Sequence, residues 1–297
     1  MDSVTIISNK LSSETRQYLK TEFQKRRFTI DILQKYLDTS DTYIELSIDN
    51  NSIKIHVVCP SIQLPPIFVL KRVIKRLFAL WKLYKLSSPM IIWLIPCDCL
   101  RTFPVEGEEI GPNHINGGYT SLNKNEIFIY RSEDFPKVML HELLHHCMNY
   151  EFSQEQIRRL KHFFNISSDT LLLPNEAIVE AWATYYQLQF ISSEYDIPFK
   201  ELYKKECQWG LMQSRRLLIH QIKLKKWREK TNAYCYIIFK TILLLNFDKI
   251  RKDNLSSDEF IDFIIKHAQD NEYLQGIKNA ILLSQNVSMR ISLFGDL

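Results

Sequence analysis

The spacing of hydrophobic residues predicts that helices and strands are mixed in the first half of the chain. Segments 10–38 and 67–86 carry apolar residues at the three-to-four-residue spacing of a helix. Segment 43–58 alternates between apolar and polar residues on either side of a predicted turn at 49–52, which is typical of a β-hairpin. Segment 90–95 is a short apolar run with β-branched residues, and it is predicted to be a buried strand.

The second half of the chain has a helical pattern almost throughout. A further hairpin is predicted over 119–131, and Ser132 is then expected to cap a helix that ends near Asn149. Helical spacing follows in five more segments, which are 154–165, 174–192, 198–229, 231–245 and 257–269. This order predicts an α+β fold with a small mixed-sheet lobe over residues 1–150 and a mainly helical lobe over residues 151–297.

The composition of the 297-residue chain is that of a folded globular protein, with 45% hydrophobic and 24% charged residues. Its net charge of +4 is mild, and the basic clusters at 71–75 and 223–230 are explained most simply as solvated helix faces. No nucleic-acid-binding motif accompanies them, so no nucleic-acid partner is predicted. No apolar run is long enough to cross a bilayer, so no membrane partner is predicted either.

The sequence contains six cysteines, which are Cys59, Cys97, Cys99, Cys147, Cys207 and Cys235. The N-terminal residues lack the basic start and apolar stretch of a secretory signal. Reduced thiols and a cytoplasmic or other intracellular location are therefore expected. Cys97 and Cys99 are closer together than the cysteines of a CxxC motif, and they are predicted to be buried strand residues.

The run His141-Glu142-Leu143-Leu144-His145 matches the HExxH pattern of zinc peptidases and lies on a predicted helix. Residues i and i+4 of a helix share a face, so His141 and His145 can direct two imidazoles at one zinc ion. Glu142 follows the first histidine, and from there its carboxylate could take a proton from a zinc-activated water. Apolar residues surround the motif, which predicts a buried central helix where these polar side chains need a chemical role.

A catalytic zinc of this type has a third protein ligand. Glu176 and Glu180 are four residues apart on a later predicted helix, so their carboxylates share a face. One can bind zinc while the other accepts a hydrogen bond from a ligand histidine and fixes its tautomer. The spacing leaves open which glutamate has which role. The small residues Ala177 and Ala181 would let this helix approach the histidine helix closely.

The run Asn175-Glu176-Ala177-Ile178-Val179-Glu180 resembles the NExxSD segment of thermolysin-like gluzincins. In that family the first glutamate binds zinc and the later acidic residue supports a histidine. The resemblance therefore implies that Glu176 is the third ligand and Glu180 the supporting carboxylate. Glu176 follows His145 at a longer distance than in thermolysin, and a helix at 154–165 could fill the difference.

A longer stretch, residues 113–186, resembles an uncharacterised family of zinc metallopeptidases found in giant DNA viruses. The matching blocks are 116–120, 127–134, 141–153 and 176–183, and residues 231–240 are similar to a later block. This chain has Tyr150-Glu151-Phe152-Ser153 where the family often has Asp-Phe-Ser. The resemblance implies a zincin-like metallopeptidase fold with bound zinc. For a viral protein, it also implies a location in the host cytoplasm or the virion.

Peptide hydrolysis further needs a donor that stabilises the oxyanion and a surface that holds the substrate. Tyr236 is the favoured donor among Tyr234, Tyr236 and His220, and an ordinary core tyrosine would fit the same apolar pattern. The strand at 126–131 is expected to form an exposed sheet edge that pairs with an extended peptide. Gly117 and Gly118 would let a backbone approach this cleft or would form a turn. His146 is expected beside the site or at the surface.

Taken together, these residues predict a zinc-dependent peptidase that hydrolyses a peptide or protein substrate, with Glu142 as the general base. The alternative is a catalytically silent zincin-fold protein in which a metal holds the lobes together for binding or as a scaffold. The complete HExxH pattern favours the enzyme.

Overall fold

The computed structural model describes residues 3–25, 30–49, 51–105, 107–148, 150–253, 255–282 and 288–297. Two compact units are present. The first comprises Met1–Leu100, Gly117–Cys147 and Gly295–Leu297, and the second comprises Arg101–Asn116 and Met148–Phe294. All six strands found in the described residues belong to the first unit, and the second is built from helices. The predicted α+β class is therefore confirmed.

The sheet of the first unit is mixed, with the strand order β1-β2-β3-β4-β6-β5. Its strands are β1 Val4–Lys10, β2 Thr42–Ile48, β3 Ile53–Cys59, β4 Met90–Leu94, β5 Gly118–Ser121 and β6 Glu126–Ile129. Strand β4 pairs in parallel with both β3 and β6, and the other three pairs are antiparallel. Both predicted hairpins are confirmed, as β2–β3 and β5–β6, although Asn50 of the first predicted turn lies outside the described residues.

The helices account for most of the remaining structure. In chain order they are α1 Ser13–Gln24, α2 Ile30–Thr39, α3 Ile67–Leu83, α4 Pro112–Ile115, α5 Phe135–Leu144, α6 Gln154–Phe163, α7 Asn175–Tyr195, α8 Phe199–Leu224, α9 Lys240–Leu245, α10 Phe247–Asp253, α11 Ser257–His267 and α12 Asn271–Asn279. A π-helical segment, Cys235–Phe239, leads directly into α9. The predicted single helix at 10–38 is two helices, and residues 26–29 between them are not described.

Alternation along the strands places one face of the sheet in the core of the first unit. In β2, for example, Ile44, Leu46 and Ile48 are buried and the residues between them are only partly covered. Helix α3 covers this sheet through contacts with β2 and β3, and it also packs against α5. Helix α5 in turn contacts β5 and β6, and every one of its ten residues is buried. The predicted central buried helix is thus confirmed.

The second unit has its own core, formed where α7, α8, α9 and the π-helical segment pack together. Large aromatic side chains fill it, and Trp227, Tyr234 and Phe239 are almost wholly buried. Ala177 and Ala181 on α7 belong to the same core, where their small side chains allow close packing within this unit.

The prediction made for two cysteines of the first unit is wrong. Cys97 and Cys99 are not strand residues, because β4 ends at Leu94 and both cysteines lie in the connection that follows it. Cys97 is buried, whereas Cys99 is only partly buried.

Candidate metal centre

The ends of helix α5, which carries the HExxH run, differ from the prediction. Asp134, and not Ser132, precedes the first helical residue, and its backbone is left-handed with φ of 61°. The helix also ends earlier than expected, at Leu144. The following amides of His146 and Cys147 bond three residues back, to the carbonyls of Leu143 and Leu144, which tightens the chain into a turn. The predicted end at Asn149 lies outside the described residues.

This early end does not disturb the two histidines. The His145 amide still donates to the His141 carbonyl over 3.3 Å, so the i, i+4 relationship of a helix is retained. The Nε2 atoms of His141 and His145 lie 3.1 Å apart, and the ring centroids lie 4.8 Å apart with the planes at 75°. The structure therefore brings together the two predicted imidazole ligands.

The separation of these two nitrogen atoms fits a shared metal ion. Two ligands that each lie about 2.0–2.1 Å from a tetrahedral zinc are separated from each other by roughly 3.3 Å. The observed 3.1 Å is close to that value. His141 is 5% exposed and His145 is half-buried, so the pair has one enclosed and one more open side chain.

Glu142 is also almost enclosed, with 7% of its surface exposed. A carboxylate is rarely buried to this degree without a cation or hydrogen-bond donors around it. On a helix it is displaced by about 100° from His141, so it can lie beside the histidine face without being a ligand itself. These features fit the predicted general base.

His146 connects the end of the HExxH run to the sheet. Its Nε2 lies 2.6 Å from Oγ1 of Thr120 on β5. Burial, followed by the neighbouring His145, lowers the pKa of His146 below the usual histidine value. Of the two locations considered for His146, the structure supports a half-buried position against the sheet rather than an exposed one.

Gly118 lets β5 lie close to its neighbours in the first unit. A Cβ atom added at Gly118 would lie 2.7 Å from Cδ1 of Ile129 on β6 and 2.9 Å from the carbonyl oxygen of Phe128. It would also lie 3.2 Å from Cγ1 of Val138 on α5. Gly118 is therefore a strand residue required by close packing, and it does not form the turn that was one of its two predicted roles.

The prediction that the strand at 126–131 forms an exposed edge of the sheet is wrong. Residues 126–129 form β6, which is paired on both sides, with β4 and with β5. Strand β5 lies at one end of the sheet order, with β1 at the other, and has β6 as its strand partner. Local sequence patterns do not show sheet order, because the parallel pairing of β4 and β6 joins residues about 35 positions apart.

Glu176 and Glu180 lie on α7 in the second unit, as predicted. Glu176 is in the first turn, where its amide donates to the Leu173 carbonyl over 3.0 Å, and its side chain is half-buried. Glu180 lies one turn further along the helix and is 2% exposed. An acidic side chain in the first turn also interacts favourably with the helix dipole.

Tyr236 belongs to the π-helical segment, which packs against α7 within the second unit. Asn232 links the two elements, since its side-chain oxygen accepts a hydrogen bond from the Leu173 amide over 3.2 Å. The carbonyl of Asn232 accepts another from the Tyr236 amide over 2.9 Å. Asn232 thus fixes the backbone that precedes Glu176 and also the backbone of Tyr236, the candidate oxyanion donor. Local π-helical turns are frequent at functional sites.

Sequence patterns did not identify Glu229, which organises the same region. Its carboxylate is buried and accepts hydrogen bonds from the amides of Ala233 and Tyr234, the latter over 3.1 Å. Burial raises the pKa of Glu229 to about 8, and the hydrogen bonds lower it only in part. Burial, with Glu229 and Glu176 nearby, also holds the pKa of the Cys235 thiol well above its usual value. No sequence signal separates this glutamate from an exposed one.

No protein-family model, curated protein or solved structure matches the chain. The two resemblances described from the sequence therefore stay predictions. Among the described residues, no helix combines the length and the apolar character needed to span a membrane.

Proposed function

We propose that this protein is a zinc-dependent peptidase with a zincin-like fold, in which His141, His145 and Glu176 hold the metal. The observation that carries the proposal is the 3.1 Å separation of the two histidine Nε2 atoms. Glu176 is the third ligand in this proposal because the resemblance of residues 175–180 to thermolysin-like gluzincins implies it. Two imidazoles and one carboxylate are a ligand set that zinc uses in hydrolytic sites.

When bound, zinc would polarise the scissile carbonyl and lower the pKa of water. Glu142 would accept a proton from the attacking water on its carboxylate and then deliver that proton to the nitrogen of the leaving amine. Its near-complete burial supports this role, because a carboxylate is rarely enclosed to this degree without a chemical role or a partner.

Glu180 and Tyr236 have supporting roles in the proposal. The Glu180 carboxylate would accept a hydrogen bond from a ligand imidazole and fix its tautomer, which is the usual function of an acidic residue behind a metal-binding histidine. The Tyr236 hydroxyl would donate a hydrogen bond to the oxyanion that forms when water attacks the amide. The anchoring of its backbone by Asn232 supports this role, since a donor must be held in place before the reaction.

An extended peptide is the proposed substrate, and β5 is the strand that would bind it. An edge strand presents backbone amide and carbonyl groups that can pair with another chain. Strand β5 has this position in the sheet order, and the hydrogen bond between Thr120 and His146 connects it to the HExxH run.

The Glu142→Gln variant tests the proposal. The wild-type protein should bind about one zinc ion and cleave members of a broad peptide library, whereas Glu142→Gln should keep the zinc and lose about 10²–10⁴-fold in kcat. Full activity in Glu142→Gln would refute the role of the base. A wild-type protein that binds zinc and unfolds on its removal, yet cleaves no peptide, would favour the silent binding or scaffold protein.

A further inference from the structure

The connection after β4 holds two thiols against each other. The Sγ atoms of Cys97 and Cys99 lie 2.9 Å apart, and both cysteines are free. A tight turn produces this approach, because the Cys99 amide bonds to the Cys97 carbonyl over 2.8 Å. Another tight turn precedes it, in which the Cys97 amide bonds to the Ile95 carbonyl over 2.7 Å. A turn of this kind shortens the distance between residues i and i+2, as a disulfide between them requires.

The two thiols differ in their access to solvent. Cys97 is 4% exposed, whereas Cys99 is partly exposed between the exposed residues Asp98 and Leu100. A reagent from solvent can therefore reach the sulfur of Cys99 first. Cys97 lies behind it and is in contact with it.

They also differ in their tendency to ionise. A hydrogen bond from the Cys97 thiol, assisted by the positive charge of Arg131, lowers the pKa of the Cys99 thiol despite its partial burial. The same contact and burial raise the pKa of Cys97. Thiolates are the reactive form of cysteine, so this asymmetry makes Cys99 the nucleophile of the pair.

Neighbouring groups hold the connection in place. The guanidinium of Arg131 donates to the Cys99 carbonyl, and the Ser132 amide donates to the Cys97 carbonyl over 2.9 Å. The Ser132 hydroxyl also donates to Asp98 Oδ1 over 2.9 Å. With three of its residues bonded to the segment before α5, the connection keeps the two sulfur atoms adjacent.

We propose that Cys97 and Cys99 form a redox-active pair that undergoes thiol–disulfide exchange with small disulfides. The Cys99 thiolate attacks one sulfur of the disulfide, the S–S bond breaks, and one thiolate leaves and takes up a proton. The Cys97 thiol then loses its proton and attacks Sγ of Cys99, which releases the second thiolate. Two electrons pass from the cysteine pair to the disulfide, which is reduced to two thiols.

The other cysteines provide an internal comparison. Burial raises the pKa of Cys59 to about 11 and that of Cys147 to about 12, so these thiols stay protonated. Burial also raises the pKa of Cys207 to about 12, and it raises the pKa of Cys235 well above its usual value. The exchange reaction should therefore be confined to the Cys97–Cys99 pair.

Intact-mass and peptide analysis of the full-length protein in glutathione buffers tests the proposal. Oxidised glutathione should remove two iodoacetamide-reactive thiols and create a disulfide within the tryptic peptide 86–101, which contains no other cysteine than this pair. Dithiothreitol should reverse it. Cys97→Ser should stop at a stable mixed disulfide between glutathione and Cys99, Cys99→Ser should abolish the reaction, and Cys147→Ser should react as the wild type does.

Because the first measurement uses the wild-type protein, it does not depend on whether a variant folds. A peptide 86–101 that stays reduced in oxidising glutathione buffer would overturn the proposal. A wild type that accumulates the mixed disulfide without closing the ring would do so too. The proposal would also be overturned if the two cysteines bound a thiophilic metal ion, such as Cu(I), but did not oxidise to a disulfide.

Discussion

The Nε2 atoms of His141 and His145 lie 3.1 Å apart at the C-terminal end of α5. Two neutral imidazoles at this separation can share one ion, so either histidine is expected to be essential for metal binding. We predict that His145→Ala lowers the zinc content from about one ion per chain to none, as measured by atomic emission after dialysis. The adjacent histidine offers a matched control, since His146 bonds to Thr120, and His146→Ala should retain zinc. Equal zinc content in wild type and His145→Ala would contradict the assignment.

The two glutamates of α7 should have unequal effects on zinc affinity. Glu176→Gln removes a proposed ligand and is expected to abolish zinc binding in competition with a chromophoric chelator. Glu180→Gln removes a carboxylate behind a ligand and should weaken binding by about 10–100-fold. Both are conservative substitutions on one helix. The reverse order of effects would make Glu180 the ligand.

Tyr236 should affect turnover more than stability. If its hydroxyl stabilises the oxyanion, Tyr236→Phe lowers kcat by about 10²-fold and changes KM little. Tyr234 is a matched control two residues away, because its buried hydroxyl bonds to Gln221 over 3.3 Å. Tyr234→Phe should cost about 1 kcal/mol of unfolding free energy and leave kcat unchanged. An unchanged kcat in Tyr236→Phe would show that the residue is an ordinary core tyrosine.

The pH dependence of stability should report the burial of Glu229. Its native pKa is raised by burial to about 8 from the usual glutamate value of 4.5, so the unfolded state releases this proton at lower pH than the native state does. The contribution of Glu229 to the unfolding free energy is therefore fully present below about pH 4.5, and it is lost as the pH rises towards 8. In this window the group lowers the unfolding free energy by at most roughly 1.4 kcal/mol per pH unit.

Urea unfolding of the wild type and of Glu229→Gln at several values between pH 5 and pH 9 measures this contribution. Glutamine keeps a side-chain oxygen that can accept one backbone hydrogen bond, and it carries no charge at any pH. The variant should lose the part of the pH slope that Glu229 causes. Identical slopes for the two proteins would contradict the raised pKa.

Strands β2 and β4, which have a buried face, could be predicted from sequence, whereas the edge strand β1 could not. β2 and β4 alternate between buried and partly covered residues, which leaves a clear period of two. β1 contains no fully buried residue, so its sequence carries little sign of its pairing with β2. The register of a strand and the identity of its partner strand depend on residues that are distant in sequence. A short stretch of sequence does not contain those residues.

For the site, the types and spacing of the chemical groups could be predicted, but their surroundings could not. The i, i+4 relation of His141 and His145 follows directly from helix geometry. The premature end of α5 after Leu144 depends on turn hydrogen bonds, and the burial of Glu229 depends on tertiary packing. The edge position of β5 likewise follows from sheet order.

The most direct test of the central claim is a crystal structure of the zinc-loaded protein with anomalous data collected at the zinc edge. The proposal predicts one anomalous peak, with an imidazole nitrogen of His141, one of His145 and a carboxylate oxygen of Glu176 each within about 2.0–2.2 Å of it. A protein loaded with zinc that shows no peak between the two imidazoles, or a peak bonded to neither of them, would contradict it.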